Sequence, residues 1–301
     1  MLWVVADDIT GAAEMAGIAL RFGCRVGLSV YTEDDACITP PSAEVDVQVY
    51  ATDTRSMSEA EAIALTAQLG RQLKAAGCTN LFKKTDSALR GHIVPELKTL
   101  LKTTGIPHAL LLPQNPSLGR ILHGGIYSIK GTPLHKTPFA SDPEYPATTS
   151  RAATLLKLTE EDANLIRLPD ATTTEEVSAC LHQTNDGQTL FAGAADLFTA
   201  WLYRQGYHPL ASPTPFAGLG DNSALILCGS TARHPLANEP YLCRSHTPLR
   251  NMPLAVYQDQ ASAEAWLAEL LPLYEAHPSL ALVIDHPPLT DKAIALRLRT
   301  V

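Results

Sequence analysis

Residues 2–17 read LWVVADDITGAAEMAG. Leu2 to Ala6 is an apolar run short enough for a strand buried on both faces. It ends in two adjacent carboxylates, Asp7 and Asp8, and from Ile9 onward the pattern reads as the first turns of a helix. A strand that turns directly into a helix is the first half of a βαβ unit. The pattern repeats: apolar runs at 2–6, 25–31, 45–51, 79–83 and 108–112 alternate with amphipathic stretches at 9–22, 58–76 and 92–104. Gly23, Gly77 and Gly105 stand where a helix C-terminus favours a left-handed residue. The expected fold class is α/β, a parallel sheet with helices on both faces. Sheets of that class bind ligands at the carboxyl ends of their strands.

Asp7 and Asp8 lie at such an end. A helix N-terminus ordinarily attracts an anion. Two aspartates there suit instead a ligand that donates hydrogen bonds, such as a polyol, or a hydroxyl that must lose a proton. The plainer alternative is that one aspartate caps the helix and the other is solvated. In TDTRSMSEAEA (52–62), Arg55 follows a strand and precedes a helix that Ser58 can cap, with Glu61 completing a capping box. A guanidinium at that place can hold a carboxylate bidentately, or it is simply a surface arginine near a helix start. The densest cluster is FKKTDSALRGHIVPEL (82–97). Strand interiors avoid such density because buried charges must be paired, so these residues read as binding groups on a loop held by the sheet. LLLPQNPSLGRILHGGIY (110–127) sets a proline-bracketed loop directly after a strand, and FASDPEYP (139–146) adds Asp142 between two proline-associated turns.

The totals bound the function classes. A chain of 301 residues suits about two domains, and 46% hydrophobic with 18% charged residues is ordinary for a globular protein. A net charge of -8 argues against a nucleic-acid surface. No uncharged apolar stretch of about eighteen residues occurs, and the N-terminus lacks a signal peptide's basic head and long apolar centre, so no membrane partner is expected. Six scattered cysteines without a CxxC pair suit the reduced thiols of a cytoplasmic protein better than a disulfide framework, and no metal site is expected. One hairpin is expected within 120–136. HPLASPTPFAGLGDNS (208–223) reads as a linker between a domain at 1–207 and a second at 224–301. The second holds a strand ALILC, a helix over 261–275, a strand over 280–285 and a helical fragment over 291–299.

Taken in order, these stretches resemble the four-carbon acid sugar kinase family, long catalogued as a domain of unknown function. Its members carry ADD-x-TGA, TRS, K-x-DS-x-LRGN, PAFP-x-x-GR, G-x-PL-x-x-T-x-F-x-DP and a later GS turn. This chain reads ADDITGA (6–12), TRS (54–56), KTDSALRGH (84–92), PQNPSLGR (113–120), GTPLHKTPFASDP (131–143) and CGSTA (228–232). Six motifs in one order are far more specific than a lone glycine pattern. The resemblance implies an ATP-dependent kinase that phosphorylates a hydroxyl of threonate, erythronate or a 3-oxo-tetronate. It implies a first domain that binds the sugar acid and a partial α/β second domain that binds the nucleotide. Carried across, the substrate is held by Asp8, Arg55, Lys84, Thr85, Asp86 and Ser87, while Ser230 touches ATP; Asp7, Arg90 and Arg120 are further candidates for the substrate and Gly229 for the nucleotide. Asp8 or Asp86 would take the hydroxyl proton. Lys84 or Arg120 would offset charge on the phosphoryl group, with Mg²⁺ bridging the ATP oxygens.

Three departures stand out. His92 replaces the family's Asn, and PQNP replaces PAFP. Family members continue through a GG-x-T turn and further strands, whereas this sequence stops at ALRLRTV (295–301), so a nucleotide domain cut short is expected, in a fragment or a shortened relative. The rival expectation is a catalytically silent sugar-acid-binding protein. The partners expected are the small sugar acid and, in a homo-oligomer, further copies of the chain.

Overall fold

The computed structural model describes residues 1–35, 37–38, 44–185, 187–211, 224–228, 247–257, 259–277 and 279–284. The chain divides into two compact units, Met1–Pro213 and Thr214–Val301. The division falls inside the proline- and glycine-rich stretch at 208–223, most of which lies outside the described residues. Among the described residues no helix is long and apolar enough to cross a membrane.

The first unit is built on strands β1 (Leu2–Ala6), β2 (Val26–Val30), β3 (Val47–Ala51), β4 (Leu81–Lys84), β5 (His108–Leu112), β9 (Ile166–Arg167) and β10 (Thr189–Gly193). They form one seven-stranded sheet in the order β2-β3-β1-β4-β10-β5-β9. Every pairing in it is parallel. Alternation along β1 explains why the whole run is apolar. Trp3 and Val5 enter a core with Leu65, Leu69 and Leu97, whereas Leu2, Val4 and Ala6 enter another with Met15, Phe198 and Trp201. Helices α2 (Glu59–Ala75) and α3 (Ile93–Thr104) cover the first face. The second is covered by α1 (Ile9–Arg21), α5 (Thr174–His182) and α6 (Ala195–Arg204). A short α4 (Ala152–Leu155) lies between β5 and β9 along the chain.

The hairpin expected within 120–136 is formed by β6 (Arg120–His123) and β7 (Ile126–Ile129), and β8 (Thr132–Pro133) extends it to a three-stranded antiparallel sheet. Strands β9 and β10 were not anticipated, and β10 lies between β4 and β5. Its TLFAG run is five residues long, too short for periodicity to separate a buried strand from a helical segment.

The chain leaves β1 through α1 on one face and leaves β4 through α3 on the other. Adjacent strands with connections leaving in opposite directions open a crevice at their carboxyl ends. Here that edge carries Asp7-Asp8 after β1 and Thr85-Asp86 after β4.

The second unit contains β11 (Ala224–Cys228), β12 (Leu249–Met252), β13 (Ser279–Ile284) and α7 (Gln260–Ala276). Its strands are parallel in the order β11-β13-β12. Asp259 caps α7 by accepting from the Ser262 amide at 2.7 Å. Gly229 and Ser230 and the 291–299 segment lie outside the described residues.

Candidate functional site

Each strand end contributes one piece. After β1, Asp7 is buried at 3% exposure, and Asp8 is the N-cap of α1. Asp8 Oδ1 accepts the Gly11 amide at 2.7 Å, so the helix end fixes the carboxylate. Gly11 is required for this: a Cβ there would stand 2.6 Å from Asp8 Oδ1 and 3.1 Å from Lys84 Cγ. After β3, a 3₁₀ turn over Thr54–Ser56 carries Arg55, whose backbone N–H donates to Asp7 O at 3.2 Å. Asp53, just before it, is left-handed at φ 51°. Ser58 and Glu61 then form the expected capping box of α2.

Arg55 gathers the rim. Its Nη2 pairs with Asp8 Oδ2, its Nη1 lies 3.1 Å from Asp86 Oδ1, and its Nε lies 3.9 Å from Asp7 Oδ2. Three carboxylates from two strand ends thus converge on one guanidinium. The bidentate fork suggested by sequence is enclosed by protein acids.

After β4, Asp86 is a second hub. Arg90 donates to it through Nε at 2.9 Å and Nη2 at 3.0 Å, and the Ala88 amide donates at 3.0 Å. Burial alone would raise the Asp86 carboxyl, but Arg90 and then Arg55 outweigh it and hold it below the ordinary value. Leu89, a branched residue at φ 65°, and Gly91 at φ 90° shape this turn. Gly91 is a true requirement, since a Cβ there would meet Arg55 Cγ at 3.2 Å. Such left-handed residues persist where surrounding contacts over-determine them, and these flank both arginines.

The remaining expected residues lie around this centre. Lys84 Nζ donates to Thr85 O at 3.0 Å and pairs with Glu14 at 3.3 Å. The Thr85 amide is tied to Gly193 O of β10 at 3.0 Å, and its buried Oγ1 has no hydrogen-bond partner. Ser87 Oγ accepts from Arg120 Nη1. Among the described residues Arg120 has no carboxylate partner. Its guanidinium lies 5.9 Å from the centre of the Phe139 ring, and that of Arg90 lies 5.2 Å from it.

Several residues were missed or undervalued from sequence. Asp142 accepts Arg90 Nη1 at 3.1 Å. Tyr145 donates its hydroxyl to Arg55 O and lies 3.1 Å from His92 Nε2, which also meets Met57 O at 2.9 Å. His92 therefore braces the Arg55 turn from behind, beside a groove of about 800 Å³ lined in part by Gly91, His92 and Tyr145. The proline-associated turns of 139–146 were the available signal. The amides of PQNP serve the backbone: Gln114 Nε2 donates to Pro169 O at 2.7 Å, and Asn115 Oδ1 accepts the Asp196 amide at 3.0 Å.

A family model described as the sugar-binding N-terminal domain matches residues 2–196. The chain belongs to this family. The matched region ends just past β10, so it takes in every strand of the large sheet and every rim residue above. The chain is 29% identical over 278 residues to a D-threonate kinase of Bordetella bronchiseptica, covering 89% of this chain and 68% of that protein. A D-threonate kinase of Salmonella typhimurium is 30% identical over 159 residues, 52% of this chain and 36% of the relative. The match to that second relative therefore takes in about a third of its length. A solved Bordetella bronchiseptica structure, a domain-swapped dimer with bound citrate, has the same fold, with TM-score 0.60 and 23% identity. It covers 99% of this chain and 80% of its own.

Proposed function

We propose that the first unit binds a four-carbon sugar acid and presents one of its hydroxyls for ATP-dependent phosphorylation. The observation that carries this reading is the convergence of Asp7, Asp8 and Asp86 on Arg55 at the crevice between β1 and β4. A polyhydroxy acid needs several acceptors for its hydroxyls and one cation for its carboxylate. The rim offers the acceptors already spaced by Arg55. Arg120, whose described hydrogen bond goes to the neutral Ser87, supplies the cation. The names of the relatives support the same chemistry.

Asp8 is the better candidate to receive the hydroxyl proton. Asp86 spends both oxygens on Arg55, Arg90 and backbone amides, whereas Asp8 Oδ2 faces Arg55 alone and its side chain is 18% exposed. Phosphoryl transfer asks such a residue chiefly to orient the attacking oxygen, so a weakly basic aspartate suffices. Lys84, set at the start of α1 beside Gly11, would offset charge on the transferred group. ATP with Mg²⁺ would supply the phosphoryl group, with Gly229 and Ser230 as the proposed nucleotide contacts.

Calorimetry with D-threonate, erythronate and 3-oxo-tetronate, followed by an ATP-consumption assay on the same panel, tests the reading. Binding of one acid with turnover is expected. Binding without turnover reduces the chain to a sugar-acid receptor, and no binding to any of them overturns the proposal. Arg120→Ala should weaken acid binding about tenfold, the scale of one lost charge-assisted contact. Sedimentation checks the homo-oligomeric state, which the swapped dimer of the Bordetella protein supports.

A further inference from the structure

Beneath the rim lies a second set of charges that sugar binding does not touch. Lys83 Nζ stands 3.0 Å from Glu96 Oε2 of α3, and the two side chains are 1% and 2% exposed. Thr66 Oγ1 of α2 donates to the other carboxylate oxygen at 3.4 Å. An ion pair this deep is a poor stabiliser, because the loss of hydration of both ions offsets their attraction. Apolar residues of similar volume usually serve as well. The surrounding core of Leu65, Leu69 and Leu97 is apolar and could accept them. The pair therefore calls for a reason other than stability.

Register supplies one. Val5 of β1 is opposite Lys83 of β4, and alternation puts Val5, Asp7 and Lys83 on one face of the sheet. Asp7 is almost wholly buried and its Oδ1 has no hydrogen-bond partner. The charged groups that act on it are Lys83 and Arg55, which favour its ionised form, and Glu96 and Asp86, which oppose it. From core to rim the signs alternate: Glu96, Lys83, Asp7, Arg55, then Asp8 and Asp86.

We propose that Lys83 is a positioning residue for the sugar-acid site: with Glu96 as its counter-ion, it supplies a cation on the same face of the sheet as Asp7 that keeps this carboxylate charged beside Arg55 and, through Arg55, fixes the spacing of Asp8 and Asp86. The inference deepens the sugar-acid reading and rests on it for its binding readout. Burial is the strongest influence on Asp7 and pushes its carboxyl above the ordinary value even with both cations present; Lys83 is the larger of the two that oppose it, and without Lys83 only Arg55 remains. A protonated Asp7 loses the charge that draws it to Arg55, leaving the guanidinium with two anionic neighbours in place of three.

The test replaces both charges at once, Lys83→Met with Glu96→Leu, so that neither ion is stranded. The variant should melt within a few degrees of wild type, since buried pairs exchange for apolar residues at little cost. Carbon NMR of the Asp7 carboxyl should show its titration midpoint rise by about one pH unit. Affinity for D-threonate should fall about tenfold, and this loss should vanish in an Asp7→Asn background, because groups that act through one another are not additive. Glu96→Gln removes only the negative member and should move the Asp7 midpoint downward, which also decides the matter if the double variant fails to fold. An unmoved midpoint overturns the assignment, and so does a tenfold loss that persists without Asp7. If the wild-type protein binds no four-carbon acid, the sugar-acid reading fails and the titration alone judges Lys83.

Discussion

Asp86→Asn strikes the point at which both arginines of the rim meet. In the native site Asp86 Oδ1 accepts Arg55 Nη1 at 3.1 Å and Arg90 Nη2 at 3.0 Å. Its Oδ2 accepts Arg90 Nε at 2.9 Å and the Ala88 amide at 3.0 Å. An amide can accept through one oxygen only, and its NH₂ would confront a guanidinium N–H, donor against donor. Neutralising one partner of a buried pair costs about 3–5 kcal/mol. Here Arg55 retains Asp8 and Arg90 retains Asp142, which lowers the expected loss to about 2–3 kcal/mol. For a unit of this size that is a fall in Tm of roughly 4–12 °C. Urea denaturation of both proteins at neutral and acid pH measures it. The native carboxyl is held below its ordinary value of 3.8, so its stabilisation is complete above that pH and is lost as pH falls through the lower native value. The gap between wild type and variant should therefore close in acid. A difference under about 0.5 kcal/mol at neutral pH, or a gap that widens on acidification, would refute this account of the hub.

Three further outcomes are expected. Gly11→Ala pushes a methyl group into the Asp8 cap. Helix propensity favours alanine by about 1 kcal/mol and the disturbed cap costs about the same, so stability should hold while calorimetry shows weakened threonate binding. Unchanged affinity would separate Gly11 from the site. Tyr145→Phe removes the hydroxyl that holds Arg55 O and should cost about 1 kcal/mol while raising KM several-fold with kcat nearly constant. A fall in kcat alone would place Tyr145 elsewhere in the mechanism. Iodoacetamide at mildly alkaline pH should label exposed Cys37 and spare Cys78, whose thiol burial pushes up to about 12, as peptide mass mapping would show. Equal labelling of the two would contradict the burial of Cys78.

The rim was legible because it breaks a rule. Charges crowd the ends of otherwise apolar strands, and a sheet tolerates Asp7, Asp86 and their neighbours only where something pairs or uses them. Position along each strand placed Asp8, Arg55 and Asp86 at the same edge without any knowledge of strand order. What escaped was their mutual company. Arg55 read as an open fork because its acids arrive from β1 and β4, far away in sequence. Lys83 and Lys84 looked alike on paper. Alternation along the strand sends one to Glu96 in the core and the other to Glu14 in the second turn of α1. His92, a departure from the family's asparagine, is bound up with Tyr145, and no periodicity links those two positions.

The placement of β10 has a consequence for how the protein is made. The strands β2-β3-β1-β4 and the pair β5-β9 all emerge from the ribosome before the strand that joins them. Until Gly193 arrives, two apolar edges stand open, the kind of edge that other chains can pair with. The Thr85 amide then also lacks the carbonyl that anchors it beside Asp86. Completion of the sheet and assembly of the binding rim are thus a single late event, and a nascent chain cut before that strand would carry every rim side chain yet have no finished wall to hold them.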